Sequence, residues 1–391
     1  YSYGKQTIDA DDIKAVEDCL ASEWLTQGPA LKNFEDALCA RFSAGYASAV
    51  SNGTAALHLI GLALGWKPGD VVITTPITFL ASANCILYCG ATPDFVDIDP
   101  VSYTMDLNRL EEKLKNYEKR NVKVKAVVAV DFAGHPCDWD GLQSLAQKYG
   151  LQLVDDACHA LGAKYKGREL CSCEYADVLA LSFHPVKHIT TGEGGAVLSN
   201  NRNIDLNIKS LRAHGVTKDA DRLLKNDGPW YYEMQELGFN YRITDFQCVL
   251  GTSQLSKLDY FLSRRRAVAG FYDRAFAGRE DFVVPGVVGQ ALHAYHLYPL
   301  RIGFERLSIT KADFFRLMSE KGINLQVHYI PVHLQPYYRQ RFGFKEGDYP
   351  EAERFYRDEV SLPIYPALED DDLEYITSCL HSAVTGGGER I

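Results

Sequence analysis

Ala126-Val127-Val128-Ala129-Val130-Asp131 is the stretch that decides the fold. Its apolar residues run without the polar alternation of a strand that wets one face. Such a run reads as a strand buried on both sides, as in a mostly parallel sheet covered by helices. Working outward, similar short runs recur at 71–75, 92–97, 151–155, 178–182 and 195–199, with a further short strand at 46–50. Helical stretches separate them, so the pattern predicts an α/β domain. In such sheets ligands sit beyond the carboxyl ends of the strands. The residues that follow each strand therefore carry the functional reading.

Thr78, Phe79 and Asn84 follow the run at 71–75. Asp155-Asp156-Ala157-Cys158-His159-Ala160 closes the run at 151–155. Ser182-Phe183-His184-Pro185-Val186-Lys187 closes the run at 178–182, ahead of Gly192, Gly194 and Gly195. A lysine ammonium is costly to bury without a partner. In a partly desolvated site its amine loses proton affinity and becomes a nucleophile towards a carbonyl cofactor; the other reading of Lys187 is a surface-loop lysine. Asp156 could pair with a protonated ring nitrogen, while Asp155 serves as a helix cap. Phe79 could stack on a flat ring or belong to the core, and His159 has both a site reading and a structural one. Ser51-Asn52-Gly53-Thr54-Ala55 runs from a strand into an apolar helix. Its start is either a plain cap or an anion site, because unpaired N–H groups and the positive dipole end meet there. His184 and His188 are four apart, but Pro185 spoils a helical zinc pattern, and no metal is expected.

The 391 residues exceed one small core, and the texture changes near residue 255. A large domain over 1–255 and a smaller α/β domain over 256–391 are expected. In the second, 295–302 and 324–329 read as strands, and 311–321 and 370–382 as helices. Gly386-Gly387-Gly388 reads as a flexible tail. A net charge of −10 argues against nucleic acid as a partner. No run is apolar enough for a transmembrane helix. Ten scattered cysteines, several inside apolar runs, suit a reducing cytoplasm.

Taken in order, these motifs resemble the DegT/StrS-type sugar aminotransferases, which depend on pyridoxal 5'-phosphate (PLP) and have an aspartate-aminotransferase-like fold. The resemblance rests on Trp24-Leu25-Thr26-Gln27-Gly28-Pro29, Asn52-Gly53-Thr54-Ala55-Ala56-Leu57, Thr75-Pro76-Ile77-Thr78-Phe79, Val154 through Gly162, Ser182 through Gly195, and Gly238-Phe239-Asn240-Tyr241-Arg242. It spans nearly the whole chain. It implies that Lys187 holds PLP as a Schiff base, that Asp156 keeps the ring nitrogen protonated, and that Phe79 stacks on the ring. It also implies His159 near the ring hydroxyl. Thr54, Ala55 and Ser182 would lie at the phosphate, and Asn240 would reach it from the neighbouring subunit of a homodimer. Thr26, Gln27, His328 and Tyr329 fall where the family meets its nucleotide-sugar or amino donor.

Within the family, Leu25-Thr26-Gln27-Gly28, Ile73 through Phe79, Val130-Asp131-Phe132-Ala133-Gly134 and Gln326 through Pro331 are similar to the members of pseudaminic acid biosynthesis. Many relatives carry a His-Leu-Tyr-Gly-like sequence where this chain has Asp131-Phe132-Ala133-Gly134. The resemblance thus implies transfer of the amino group of L-glutamate to the 4-keto group of a UDP-linked 4-keto-6-deoxy-N-acetylhexosamine. The alternatives are another nucleotide-linked keto-sugar, for a surface polysaccharide or an antibiotic, and a non-catalytic regulatory homologue. A dehydratase on this scaffold would have histidine in place of Lys187.

Overall fold

The computed structural model describes residues 1–385; the Gly386-Gly387-Gly388 tail lies outside them. Seven strands form the main sheet: β1 (Tyr46–Val50), β2 (Val71–Thr74), β3 (Thr92–Phe95), β4 (Val124–Val130), β5 (Gln152–Asp156), β6 (Val178–Ser182) and β7 (Gly195–Ser199). Their spatial order is β1-β7-β6-β5-β4-β2-β3. The five strands from β6 to β3 run parallel to one another, while β7 runs antiparallel to both β6 and β1. The sheet is thus mostly parallel, as its apolar runs require.

Both faces of the sheet are buried. Val127, Ala129, Leu153, Leu179 and Leu198 enter one core, and Ala126, Val128, Val154, Val178, Ala180 and Val197 enter the other. Period-two geometry sends successive side chains to opposite faces, so a strand covered on both sides must be apolar throughout. Full burial of each valine or leucine among them contributes about 1.5–3 kcal/mol. The covering helices begin with α1 (Ala10–Leu20), α2 (Pro29–Phe42), α3 (Gly53–Ala63), α4 (Leu80–Tyr88), α5 (Leu107–Lys119) and α6 (Trp139–Tyr149). They continue with α7 (Arg202–Leu211), α8 (Asp245–Ser256) and α9 (Leu258–Phe276). A capping box between Asp9 and Asp12 starts α1. Asp12 then accepts from Ser253 Oγ at 2.7 Å and Gln254 Nε2 at 2.6 Å, which fastens α1 to α8.

The first turns of α9 place Leu258, Phe261 and Leu262 in the core of the main sheet. Its later turns place Val268, Ala269, Tyr272 and Phe276 in a separate core. That second core is built on a small antiparallel sheet of β8 (Phe282–Val283), β9 (Tyr298–Ile302) and β10 (Glu359–Leu362). The helices α10 (Lys311–Glu320), α11 (Pro336–Phe342), α12 (Pro350–Asp358) and α13 (Asp370–Val384) complete the chain.

Two strand expectations change here. Residues 324–329 form no strand: Asn324 bridges Ser2 and Gln326 bridges Ser361, each as an isolated pair. With no continuous partner the segment has no ladder, however strand-like its residues. The strand expected over 295–302 begins only at Tyr298, because Tyr295 takes a left-handed φ of 50°. Among the described residues no helix is long and apolar enough to cross a membrane, and all ten cysteines are unpaired.

Candidate active site

β5 and β6 are neighbours, with Asp156 opposite Ala180. Their carboxyl ends therefore bring Asp156 and the Ser182–Lys187 loop to one edge of the sheet. Asp156 is 5% exposed. Its Oδ2 accepts from Ser82 Oγ at 2.5 Å and its Oδ1 from the Cys158 N–H at 3.2 Å. Ser82 lies in the first turn of α4 and is itself bonded to Thr78 Oγ1 at 2.6 Å. The carboxylate is thus fixed from two elements. Asn84, in the same helix, has a structural task, accepting from the Tyr338 hydroxyl at 2.7 Å.

The Lys187 amine lies 3.3 Å from His296 Nε2. Burial pulls the amine down from 10.5 to about 8; Cys158 and Asp156 work against that, and Arg265 adds to it. The His296 ring packs at 4.4 Å from that of His159. Burial drives both imidazoles well below their ordinary pKa, and the Lys187 charge adds to the effect. Neutral His159 has a defined tautomer: Nδ1 accepts from the Ala133 N–H at 3.3 Å, so Nε2 carries the proton and donates to the Tyr329 hydroxyl at 3.1 Å. Burial also pushes that phenol well above its ordinary range, and it stays an O–H donor towards the site.

His328 is oriented from behind. Its N–H donates to Glu359 Oε2 at 3.0 Å, and its Nδ1 lies 2.8 Å from Ser361 Oγ. Phe79 stands at the start of α4, 55% exposed, with its ring 6.1 Å from that of Tyr329. An aromatic face this open at the mouth of a polar cleft is free to stack on a planar ligand.

On the other side of Ser182, Asn52 caps α3 by accepting from the Ala55 N–H at 2.8 Å. Glycines allow the close approach of α3, β6 and β7. A Cβ on Gly53 would meet Ser182 Cβ at 2.9 Å, and one on Gly195 would meet the Asn52 carbonyl carbon and oxygen at 2.6 Å. The start of α3, with the Gly53 and Thr54 N–H groups and the Thr54 hydroxyl, therefore sits against Ser182 as a cradle of donors suited to an anion, while the Ala55 N–H is held by Asn52.

The structure gathers Lys187, Asp156, His159, Phe79, His328 and Tyr329 at one edge, with Ser182, Thr54 and Ala55 beside them. Three candidates stand apart. Thr26 and Gln27 are exposed, on a loop joined to Thr244–Asp245 by a Thr26–Thr244 bridge and by the Gly28 N–H to Asp245 Oδ1 at 3.1 Å. Asn240 is exposed and pairs through its backbone with Ala213. Ser82, His296 and Arg265 were not anticipated. Ser82 had a signal, since it follows the β2 strand as Thr78 and Phe79 do. His296 and Arg265 had none, because their contacts come from segments remote in sequence.

A lysine of lowered proton affinity near a fixed carboxylate, beside an anion cradle, defines an enzyme that does amine chemistry on a phosphorylated carbonyl cofactor. The chain belongs to the DegT/DnrJ/EryC1/StrS aminotransferase family, whose model matches residues 6–381. A curated relative from Campylobacter jejuni subsp. jejuni serotype O:23/36 (strain 81-176), UDP-4-amino-4,6-dideoxy-N-acetyl-beta-L-altrosamine transaminase, is 39% identical over 97% of this chain and 96% of its own. Spore coat polysaccharide biosynthesis protein SpsC of Bacillus subtilis (strain 168) is 38% identical over 98% of this chain and 97% of its own. The solved structure of Helicobacter pylori PseC, an aminotransferase involved in the biosynthesis of pseudoaminic acid, matches with a TM-score of 0.89 at 31% identity, covering 99% of each chain. Spr1654 from Streptococcus pneumoniae, solved in its PLP form, matches with a TM-score of 0.88 at 29% identity, covering 100% of each chain. The protein is a sugar aminotransferase with PLP as its cofactor.

Proposed function

We propose that the protein moves the amino group of L-glutamate to the 4-keto group of a UDP-linked 4-keto-6-deoxy-N-acetylhexosamine, in a pseudaminic acid pathway. The observation that carries this reading is the meeting of Lys187 and Asp156 at the ends of two neighbouring parallel strands. The likeness to the Campylobacter jejuni transaminase supports the choice of sugar. When bound, PLP supplies a carbonyl for amine exchange and a ring that withdraws electrons from the reacting carbon.

The remaining work falls to the chain. Lys187 would attach the cofactor and, once released, would take a proton from the donor carbon and deliver it to the cofactor carbon that keeps the nitrogen, an acid–base role suited to an amine of lowered proton affinity. Asp156, fixed by Ser82 and the Cys158 N–H, holds the proton on the ring nitrogen. Phe79 covers one ring face. His159 orients Tyr329, whose hydroxyl hydrogen is left free to donate at the ring hydroxyl or the sugar. Thr54 and Ser182 hold the phosphate, while His328 with Tyr329, and Thr26 with Gln27, meet the nucleotide-sugar or the donor.

A homodimer fits the same reading. Leu224, Trp230, Met234 and Leu237 are 96%, 72%, 64% and 78% exposed, within one segment that leads to Asn240. Apolar exposure on that scale suits a partner surface, from which Asn240 would enter the other subunit's phosphate site. The unpaired thiols suit a reducing compartment, and we place the protein in the cytoplasm.

The test starts with an absorbance spectrum of the protein with PLP. Glutamate alone should remove a band near ~420 nm, a property of the cofactor bound to lysine, and raise that of the pyridoxamine form. UDP-4-keto-6-deoxy-N-acetylhexosamines should then restore it with release of an amino sugar, and Lys187→Ala should lose multiple turnover. A spectrum that glutamate leaves untouched refutes the donor. Turnover only with another nucleotide-linked keto-sugar, a reading the likeness to SpsC favours, refutes the sugar.

A further inference from the structure

α9 carries Arg264, Arg265 and Arg266 in succession, and side chains of consecutive helical residues point about 100° apart. All three guanidiniums serve carbonyls. Arg264 reaches those of Pro366 and Leu368 at 3.2 and 2.6 Å. Arg266 reaches those of His293 and Gly162 at 3.1 and 3.4 Å. Arg265 differs from its neighbours in being only 1% exposed. Its Nη1 donates to the carbonyls of Tyr295, His296 and Ile364 at 3.2, 3.2 and 3.0 Å. Its Nη2 donates to those of Val186 and Lys187 at 3.4 and 3.5 Å. Its Nε has no partner. No carboxylate among the described residues offsets its charge; burial alone brings it down, to about 10, so it remains a cation at neutral pH.

A buried cation without an anion is expensive to keep. A neutral donor would staple carbonyls at less cost. The carbonyls chosen include those of Lys187 and His296, whose side chains face each other at 3.3 Å. We propose that Arg265 is a positioning residue: its bonds to the carbonyls of Val186, Lys187, Tyr295, His296 and Ile364 seat Lys187 and His296 against each other and place a buried, unpaired cation behind Lys187.

The other titratable groups that face Lys187 are Asp156, Cys158, His159, His188, His296 and His328, with the exposed His184 on its own loop. Burial leaves His159, His188, His296 and His328 uncharged at neutral pH. Arg265 is then the standing positive charge opposed to Asp156. Removing a positive charge beside a lysine raises its proton affinity.

This inference rests on the assignment of Lys187 as the PLP lysine, and its test reads Lys187 without turnover. Cofactor-free protein is mixed with PLP, and the rate of uptake, followed by absorbance, is measured against pH. Only the neutral amine attacks, so the midpoint reports Lys187. Arg265→Gln keeps donors for two carbonyls without the charge, and Arg265→Lys keeps the charge with fewer well-placed donors. Arg265→Gln should move the midpoint up by a fraction of a pH unit, and Arg265→Lys should leave it near the wild-type value.

An Arg265→Gln protein that takes up PLP with the wild-type midpoint overturns the inference, whatever its melting temperature. Should Arg265→Gln not fold, an Arg265→Lys midpoint raised to that of a free lysine overturns it as well, and one near wild type upholds it. Wild-type protein that takes up PLP no differently from Lys187→Ala refutes the assignment of Lys187 and the inference with it. Wild-type uptake on Lys187 with an unmoved Arg265→Gln midpoint refutes the inference alone.

Discussion

Gly195→Ala should weaken PLP binding through a single backbone collision. Gly195 opens β7, opposite Ser182 on one side and Val50 on the other. An added Cβ would lie 2.6 Å from both the Asn52 carbonyl carbon and oxygen, and 2.8 Å from the Gly53 nitrogen. These are backbone atoms and cannot rotate away as a side chain would. The start of α3 must retreat by several tenths of an ångström, taking its N–H groups with it. Overpacking of this kind costs about 1–3 kcal/mol, offset by about 0.4–1 kcal/mol from the stiffer unfolded chain. Loss of one hydrogen bond to the charged phosphate removes about 1.5–3 kcal/mol of binding, roughly a 10- to 150-fold weaker Kd. Gly192→Ala is the control. Gly192 has a φ of +78° and nothing within 4 Å of its would-be Cβ. It should lose about 1–2 kcal/mol of stability to left-handed strain and keep its PLP affinity. Absorbance titration with PLP and thermal melting of both variants separate the effects. Wild-type PLP affinity in Gly195→Ala, or an equal loss in Gly192→Ala, would refute the cradle.

Ser82→Ala removes the hydroxyl that donates to Asp156 Oδ2 at 2.5 Å in a fully buried setting. It should cost about 1.5–3 kcal/mol by denaturant unfolding and weaken PLP binding, whereas unchanged affinity would deny Ser82 a part in fixing Asp156. Tyr329→Phe leaves the His159 Nε2–H without its acceptor. We expect about a tenfold fall in kcat/KM, equivalent to roughly 1.4 kcal/mol, and a steady-state rate equal to wild type would remove Tyr329 from the site. Asp131 and Asp155 are buried side by side, and burial raises both, Asp131 to about 7. The folded pair therefore holds a proton that an unfolded carboxyl of pKa about 3.9 lacks. Its stabilisation is complete below about pH 4 and is lost as pH rises through about 7. Asp155→Asn supplies an amide donor that does not titrate, so its melting temperature should fall less than wild type between pH 5 and 8. Parallel curves would refute the shared proton.

The main sheet was legible because burial on both faces writes itself into a strand as an unbroken apolar run. Val178–Ser182 and Gly195–Ser199 fall where the sequence places them. The placing of Asp156 and Lys187 was legible for a related reason: Asp156 closes one such run and Lys187 lies on the loop after another, and strand ends are where a parallel sheet exposes side chains to ligand. That Asp156 and Ala180 are paired neighbours was not legible, since strand order is set by helix crossovers and not by the strands themselves. The reversal of β7 was likewise hidden, because an apolar strand between two others has the same composition in either direction.

His296 shows a different kind of illegibility. Read as a strand, 295–302 would send His296 to one face of the small sheet. Instead the Tyr295 N–H bonds to His293 Nδ1 at 2.8 Å, with Tyr295 in the left-handed region. The chain turns there, and His296 faces Lys187 before the strand begins. Arg265 is hidden in the same way: three consecutive arginines suggest solvated side chains, yet the carbonyls that bury the middle one come from 186–187, 295–296 and 364. These contacts lie where α9 leaves the core of the main sheet for that of the small one. Residues that choose the chemistry thus sit on local motifs of the main sheet. Those that adjust the lysine sit at the joint between the two cores. Substitutions in the first group should abolish transfer, and those at the joint should shift its pH dependence while leaving the reaction the same.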